Sequence, residues 1–357
     1  MKTVNNNNSN NNLNTLEIMK STIHAHQKNI LKLVSKTNLK KIALLALVTL
    51  SFIGCEKDET INEPASASEF AAVRDAALEA QTQNFTATAG AGIITLTSDK
   101  GVTIKINGDC LTKNGNTATG AINIEFVELF DKGTMLITNK PTMGIMPNGD
   151  QSLLISGGEF FVKATQGGVE LATTCNINLI VPASLTDGID NAMTLWNGII
   201  DTDGELAWEA ERDATAPNGG KDGVFAEGNN YYVSFGNFGW TNVDKFYSDP
   251  RPRTTILADA PDGYDNTNSA IYLSYDGEGT NALAKLDTYS AGLFSEHYGQ
   301  IPIGLACHVI FATEDNGQWR YAIKAVTVAA NDVYTFTLAE TTLGTEAQLV
   351  AAINAIQ

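Results

Sequence analysis

From Gly92 onward the chain alternates apolar and polar residues with a period of two. Ile94 and Leu96 alternate with threonines, and Ile104 and Ile106 repeat the pattern after a Ser-Asp-Lys-Gly turn. This alternation is typical of strands with one buried and one solvated face. Further strands are predicted at 121–130, 134–138, 152–155, 159–165, 175–181 and 193–196, and beyond residue 250 at 270–275, 282–286, 305–313, 319–328 and 333–338. Short strands at this spacing predict a mainly β chain of sandwich-like domains.

Within the segment 121–130 the phase of the alternation changes. Ile122, Ile124 and Phe126 share one face, whereas Val127 and Leu129 fall on the other. An extra residue in one strand shifts the phase in this way, so the pattern predicts a β-bulge near Phe126.

Helices are predicted at both ends of the β-rich region. The capping-box sequences Ser66-x-x-Glu69 and Thr345-x-x-Gln348 each precede apolar residues at helical spacing. The proline-containing stretch 249–253 stiffens the backbone and predicts a domain boundary. The predicted organisation is a leader at 1–54, an acidic tether at 55–66, a helix at 67–83, a first β-sandwich domain at 84–250, and a second β domain with a C-terminal helix at 251–357.

The segment 40–59 has the pattern of a secretory signal. Lys40 and Lys41 precede an apolar run that ends at Ile53, and Gly54 and Cys55 lead directly into an acidic stretch. The run is shorter than the roughly 20 residues that span a bilayer. With the cysteine at its end, the segment resembles a bacterial lipoprotein signal, and this resemblance implies removal of 1–54 and acylation of Cys55. An ordinary signal followed by a chance cysteine is the alternative, and translation from Met1 or from Met19 stays open.

The negative net charge of the chain limits the classes of molecule that it can bind. The full chain carries a net charge of −17, and the segment after residue 54 holds 16 basic and 39 acidic residues. Nucleic-acid binding needs the opposite sign, and so does attachment to anionic lipid through basic patches. The predicted contact with the membrane is therefore made by the acyl chains alone.

Three cysteines follow Cys55, with no Cys-x-x-Cys spacing. Cys175 and Cys307 each share a strand face with apolar residues, which predicts buried thiols that pack as small apolar residues. A disulfide between Cys110 and Cys175 is an open alternative, because connectivity does not follow from the sequence.

A search for catalytic motifs finds none in the sequence. There is no Gly-x-Ser-x-Gly elbow, no phosphate-binding loop before a helix, and no paired-histidine zinc motif. The chain is therefore predicted not to be an enzyme and to need no cofactor. A structural calcium is kept as an alternative at two oxygen-rich loops, one with Asp201, Asp203 and Glu205 and the other with Asp259, Asp262 and Asp265.

The aromatic stretch 231–247 is the predicted binding region. Tyr231, Phe238 and Trp240 are the candidate ligand contacts, because aromatic faces beside Asn and Asp side chains can stack on sugar rings or anchor a protein. The alternative is that these rings fill the core of a β protein.

Several stretches resemble uncharacterised surface lipoproteins of the Bacteroidota. They are Gly101-Val-Thr-Ile-Lys-Ile, Thr119-Gly-Ala-Ile-Asn-Ile-Glu-Phe-Val-Glu128, the run from Leu154 to Thr165, and the run from Gly236 to Phe246. The acidic run 56–59 resembles the export signal that sends such proteins to the outer face of the outer membrane. More remotely, 90–182 is similar to the zona-occludens-type β-sandwich of ankyrins and netrin receptors.

Two functions are consistent with these patterns. The favoured one is a lipid-anchored cell-surface protein that binds a glycan or a protein, or that has a structural role, without catalysis. The alternative is a surface hydrolase acting on glycans, whose carboxylates are hidden among the many acids.

Overall fold

The computed structural model describes residues 63–200, 204–211 and 223–357. The predicted leader, Cys55, most of the acidic tether, Asp201 and Asp203 lie outside these residues. The described chain is mainly β, as predicted, with three α-helices. These helices are α1 (Ala67–Gln81), α2 (Lys132–Ile137) and α3 (Glu346–Asn354). Short 3₁₀ turns occur at Gly108–Cys110, Ala183–Leu185 and Leu338–Glu340.

The strands of residues 83–246 form three sheets. Sheet A contains β1 (Gln83–Ala89), β6 (Gly120–Leu129), β7 (Met143–Ile145), β8 (Gln151–Gln166), β9 (Val169–Glu170), β12 (Thr194–Ile200), β13 (Leu206–Ala210) and β16 (Gly239–Phe246). Sheet B contains β2 (Ile93–Thr97), β3 (Thr103–Asn107), β11 (Ile177–Pro182), β14 (Gly223–Glu227) and β15 (Asn230–Phe235). Sheet C contains β4 (Leu111–Lys113), β5 (Asn116–Thr117) and β10 (Ala172–Thr173).

The strands of residues 253–344 form two more sheets. Sheet D contains β17 (Arg253–Asp259), β20 (Thr288–Ser290), β21 (Leu293–Pro302) and β24 (Val333–Thr335). Sheet E contains β18 (Ser269–Tyr275), β19 (Ala284–Lys285), β22 (Ala306–Asp315), β23 (Gln318–Thr327) and β25 (Thr342–Gly344). Sheets A to C thus precede residue 250 and sheets D and E follow it.

Two of the hydrophobic clusters contain residues from both sides of residue 250, although the sheets divide there. One cluster draws on the inner faces of sheets A and B, and includes Phe126 and Tyr231. A second joins sheets D and E but also takes in Met143 from sheet A. A third gathers the three helices, Leu129 of sheet A and Tyr272 of sheet E. Residues 63–357 form one compact unit, and the boundary near residue 250 stays a prediction.

The first and last helices begin where the capping boxes predict. Ser66 Oγ accepts a hydrogen bond from the Glu69 amide at 3.3 Å, and the Glu69 carboxylate accepts one from the Ser66 amide at 2.8 Å. Thr345 and Gln348 make the same reciprocal pair at α3. The apolar side of α1 packs into the third cluster through Phe70, whose ring meets Trp319 edge-to-face at 6.2 Å.

The strand predicted at 134–138 is wrong, because these residues belong to α2. Asp131 caps this helix by accepting a hydrogen bond from the Thr134 amide at 2.9 Å, and all six helical residues are buried. A short segment that is buried on every side shows neither a helical nor a strand periodicity, so its pattern is ambiguous. Asn354 of α3 also holds α2, by accepting from the Gly133 amide at 2.9 Å.

The predicted bulge near Phe126 is also wrong. The pairing of β6 with β8 runs without a register shift from Asn123 to Leu129. The phase changes because β6 is covered on both faces over this stretch: Phe126 faces the cluster between sheets A and B, whereas Val127 faces the helices. A strand buried on both sides loses its alternation without any change of backbone.

Part of sheet A closes on itself. Strand β7 pairs with β13 on one side and with the start of β8 on the other, so β8, β16, β12, β13 and β7 form a ring. Trp196 and Trp208 are buried in a cluster that belongs to this ring, and Trp240 packs against it. The Trp208 indole donates to the Pro141 carbonyl at 3.0 Å, which ties β13 to the segment before β7.

Candidate functional site

Tyr231, the first predicted ligand contact, is a core residue. Its side chain is fully buried between sheets A and B. The hydroxyl donates to the Gly188 carbonyl at 2.9 Å and accepts from the Asp190 amide at 2.6 Å. Burial raises the pKa of this phenol. The ring holds the 188–190 loop on β15 and presents no surface for stacking.

Phe238 and Trp240 lie close in sequence to Tyr231 but on other elements. Phe238 is half-buried in the turn before β16 and packs against the cluster between sheets A and B. Trp240 is half-buried on β16, where its ring lies 5.2 Å from that of Phe161 and 6.3 Å from that of Trp208. The three predicted residues therefore do not form one surface, and a ligand role for Phe238 or Trp240 stays a prediction.

Two other aromatic side chains do stand out into solvent. Phe225 of β14 is 54% exposed, and Tyr232 of β15, directly opposite it in register, is 37% exposed. Strand alternation places Tyr232 on the face opposite to Tyr231, so this signal was present in the sequence. Phe225 carried no such signal, because its segment is rich in turn residues.

A groove of about 650 Å³ lies on the outer side of sheet B, the face that also carries these rings. Amide and hydroxyl side chains line it at Thr95, Asn107, Asn176, Asn178 and Ser234, together with Ile93, Lys105 and Cys175. We call this groove together with Phe225 and Tyr232 the outer amide face. The strand register places the groove and the rings on the same face of sheet B. Ser234 lies opposite Asn178, and Tyr232 lies opposite Ile180, in the pairing of β15 with β11.

A disulfide borders the outer amide face. Cys110 and Cys175 are bonded, with their Cα atoms 5.7 Å apart, and Cys175 lines the groove. The bond fixes the segment before β11 to the 3₁₀ turn that follows β3, and so holds one end of the groove. Cys307 is a buried free thiol, as its strand phase predicts. The same prediction for Cys175 is wrong, because its half-buried sulfur is bonded to Cys110.

A second, more enclosed cleft of about 450 Å³ lies between α1, the ring of sheet A and sheets D and E. We call it the Lys285 cleft. The buried ammonium of Lys285 forms an ion pair with Glu205, whose carboxylate also accepts from the Asn139 amide at 3.1 Å. The Tyr272 hydroxyl donates to the Asn139 carbonyl at 2.8 Å, so the chain of contacts is continuous.

The charges of the Lys285 cleft are fixed by this arrangement. Burial lowers the pKa of Lys285 to about 8, although Glu205 opposes the shift. Burial is the largest influence on Glu205 and works against its ionisation. The charge and hydrogen bond of Lys285, the charge of Arg74 and the hydrogen bond from Asn139 together outweigh it, so the pKa of Glu205 is lowered. Glu205 is therefore an ionised partner of a lysine and does not have the raised pKa that a general acid needs at neutral pH.

A third cleft, of about 500 Å³, is lined by Asp187, Asp190, Lys245 and Glu278. We call it the Asp190 cleft. Asp190 pairs with Lys245 at 2.5 Å, and this hydrogen bond lowers the pKa of Asp190. Burial raises the pKa of Glu278. Two carboxyl groups with pKa values shifted in opposite directions therefore line one cleft.

Neither loop considered for calcium gathers ligands in the part of the chain that is described. Within those residues, no group of three or more His, Cys, Asp or Glu side chains is placed to hold a metal ion. Asp265 instead accepts from the Thr267 amide at 2.8 Å and from its hydroxyl at 2.6 Å. Glu205 belongs to the Lys285 cleft, while Asp201 and Asp203 lie outside the described residues.

Comparison with known proteins identifies neither a family nor a function for this chain. A scan of protein-family models and a search of curated proteins both find no match to this chain. Over residues 63–200, 204–211 and 223–357, none of the helices has the length and apolar character needed to cross a bilayer.

Proposed function

We propose that the protein is a lipid-anchored protein of the outer membrane that faces the cell surface and binds glycans without cleaving them. The anchor is Cys55, acylated after removal of 1–54. The binding region is carried by two β-sandwich-like domains, and the ligand lies on the outer amide face. The anchor and the location rest on the sequence pattern around residues 40–59 and on the resemblance to Bacteroidota surface lipoproteins.

The observation that carries the glycan proposal is the exposed Phe225–Tyr232 pair on the same face of sheet B as a groove that contains amide and hydroxyl side chains. Sugar hydroxyls both donate and accept hydrogen bonds, and so do the asparagine amides that line the groove. The apolar faces of a sugar ring are matched by aromatic rings. Because Lys105 is the one charged residue among those lining the groove, the chemistry favours a neutral ligand over a nucleic acid.

The same proposal accounts for the absence of a catalytic motif in the sequence. A glycoside hydrolase needs a carboxylic acid with a raised pKa at a solvent-accessible cleft. The outer amide face has no carboxylate among its groove-lining residues, within the described chain. In the Lys285 cleft, Glu205 is held ionised by its ion pair.

The experiment is a glycan array probed with the purified full chain, followed by titration of any glycan that binds. Phe225→Ala and Tyr232→Ala are each expected to weaken binding about tenfold or more, since loss of one stacking contact costs about 1.4 kcal/mol. Leu343→Ala removes an equally exposed apolar side chain from sheet E and serves as the matched control. Equal affinities for all four proteins would show that the ligand lies elsewhere.

The anchor is tested separately by metabolic labelling with a palmitate analogue. The wild-type protein should be labelled and Cys55→Ala should not. Digestion of intact cells with a protease then tests display at the surface: a surface protein is cleaved, and a protein facing the periplasm is protected. Labelling of the variant would show that Cys55 is not the acylated residue.

One observation favours a glycan hydrolase as the second candidate. The Asp190 cleft combines Asp190, whose pKa is lowered, with Glu278, whose pKa is raised. This is the difference that separates a nucleophile or base from a general acid. The test is hydrolysis of a glycan that binds on the array. If Glu278→Gln abolishes this hydrolysis and Phe225→Ala does not, the protein is a glycan hydrolase and the binding proposal is wrong.

A further inference from the structure

Around strands β8 and β16, four buried side-chain oxygens of the described residues have no hydrogen-bond partner. They are both carboxylate oxygens of Glu159, Oδ1 of Asp244 and Oδ1 of Asn281. Glu159 and Asp244 have no exposed surface, and Asn281 is 4% exposed. A buried polar atom without a partner costs free energy, and such atoms are rare in folded proteins. The three side chains belong to one neighbourhood around Ser156 and Asn242, so their free acceptors point to something that binds oxygen.

The backbone of sheet A brings the two carboxyl groups together. Glu159 of β8 lies opposite Asn242 of β16, and the pairing shifts between Asn242 and Asp244 so that Asp244 lies opposite Ser156. In β8, Gly158 has φ +125°, and a Cβ at this position would lie 2.6 Å from the Phe130 ring, so only glycine fits. The irregularity in both strands places Glu159 and Asp244 beside each other.

The other polar atoms around Glu159 and Asp244 are hydrogen-bonded to each other, and the four oxygens remain without a partner. The Ser156 hydroxyl donates to Asn242 Oδ1 at 3.0 Å, and the Asn242 amide donates to Asp244 Oδ2 at 2.6 Å. Asn281 brackets the same serine: its side-chain nitrogen donates to the Ser156 backbone carbonyl at 2.7 Å, and its backbone carbonyl accepts from the Ser156 backbone amide at 3.0 Å. Because the Asn281 nitrogen is used in this way, the atom left over is its oxygen.

No cationic side chain neutralises the two acids. Burial raises the pKa of Glu159, the charge of Asp244 raises it further, and Lys140 opposes the shift. Yet the Lys140 ammonium lies over the Trp240 ring, 5.6 Å from its centroid, and neither oxygen of Glu159 bonds to it. The cluster therefore holds two carboxyl groups and a free amide oxygen, without a hydrogen-bonded positive charge.

We propose that Glu159, Asp244 and Asn281 bind a calcium ion. Hard divalent cations take oxygen ligands, and calcium accepts carboxylates together with amide carbonyls in irregular geometry. Two carboxylates balance its charge. Magnesium usually keeps several water molecules, which a fully buried cluster does not favour, and zinc prefers nitrogen and sulfur. Asn281 also lines the Asp190 cleft, whose acidic side chains attract cations to this side of the protein.

Terbium and calcium are the probes that test the site in the full chain. After treatment with a chelator, calcium at about a hundredfold excess over its Kd should raise the unfolding midpoint by about 5 °C or more. One equivalent of terbium should give luminescence on tryptophan excitation, because Trp240 lies two residues from Asn242 in β16, and calcium should displace it. Metal analysis should find one calcium per chain.

Glu159→Gln and Asp244→Asn keep the shape of each side chain and remove its charge. Each is expected to abolish both the calcium-dependent shift and the terbium signal while the far-ultraviolet circular dichroism stays that of wild type. Asp262→Asn, in the other oxygen-rich loop, is the matched control and should behave as wild type. The wild-type measurements decide the question even where a variant does not fold.

Three results would overturn the proposal. One is a wild-type protein that shows neither the shift nor terbium luminescence, which would mean that the two carboxyl groups are protonated and need no ion. A second is a calcium response that survives in both Glu159→Gln and Asp244→Asn. The third is a response lost in Asp262→Asn and kept in the other two, which would place the ion in the 259–265 loop.

Discussion

The carboxylate of Glu205 and the buried ammonium of Lys285 form an ion pair between residues that are 80 positions apart. Glu205 directly precedes β13 in the ring of sheet A, and Lys285 lies in β19 of sheet E. The pair thus joins the two sets of sheets that the sequence separates near residue 250. Since the Lys285 side chain is 8% exposed, its charge depends on Glu205 for neutralisation.

Removal of one partner of this pair should destabilise the protein more than removal of both. Glu205→Gln removes the main countercharge of the buried Lys285, and the charge of Asp287 acts on this lysine more weakly. Losing one partner of a fully buried pair costs roughly 3–5 kcal/mol, and we expect about 2 kcal/mol here because the Glu205 side chain is 29% exposed. The double variant Glu205→Gln with Lys285→Met should recover most of this loss. Urea unfolding of the three proteins measures the difference.

The surface pair Lys163–Glu125 is the matched control for this cycle. Its atoms are 3.3 Å apart, and both side chains are about one-third exposed. Exposed pairs contribute about 0–1 kcal/mol, so Lys163→Met should change the free energy of unfolding by less than about 1 kcal/mol. If the two pairs gave equal losses, the Glu205–Lys285 pair would not be acting as a buried one.

The regular elements of the fold were accessible from local sequence. The helices α1 and α3 follow from reciprocal hydrogen bonds over three residues, and β2 and β3 follow from alternation with one solvated face. Where both sides of an element are covered, the local signal disappears. Because α2 and the middle of β6 are covered on both sides, the sequence pattern predicts a strand in place of α2 and a bulge near Phe126, and the structure has neither.

The candidate sites depend on pairings that are distant in sequence. Tyr232 could be placed on an outer face by alternation, but the position of Phe225 opposite it follows only from the β14–β15 register. Glu159, Asp244 and Asn281 are distributed over 123 positions, and nothing local distinguishes them from the other acids and amides. The closed ring of sheet A likewise requires β7 to meet both β8 and β13, which no period reveals.

The Cys110–Cys175 disulfide should make a large contribution to stability. The two cysteines are 65 positions apart, and cross-linking a loop of that length restricts the unfolded chain by about 4 kcal/mol in the chain-entropy model. Cys110→Ser should therefore lower the free energy of unfolding by up to about 4 kcal/mol, as measured in urea. A reductant should reproduce this loss in the wild-type protein and have no further effect on the double variant with Cys175→Ser. A wild-type protein indifferent to the reductant would mean that the bond contributes little.

A buried carboxyl group in sheet D should make stability depend on pH. Glu296 is 1% exposed and accepts hydrogen bonds from the amides of Gly299 at 3.1 Å and Gln300 at 3.0 Å. Burial raises the pKa of Glu296 to about 7. The folded protein therefore holds this proton between about pH 4.5 and pH 7 while the unfolded chain releases it, so stability falls as pH rises through this window and is level above it.

Glu296→Gln isolates this contribution, because glutamine has the shape of the protonated acid. A rise of the Glu296 pKa from its ordinary value of 4.5 to about 7 corresponds to a loss of unfolding free energy on the order of 3 kcal/mol in the wild-type protein between pH 4.5 and pH 8. Urea unfolding across this range measures the free energy of unfolding against pH. The variant should lack the fall in this free energy that Glu296 causes in the wild-type protein. Glu340→Gln gives the opposite control: a hydrogen bond from Lys324 lowers the pKa of Glu340 to about 2, so its contribution is lost only on acidification below about pH 4.5. Parallel curves for the wild-type protein and Glu296→Gln would show that this carboxyl group is ionised in the folded state throughout.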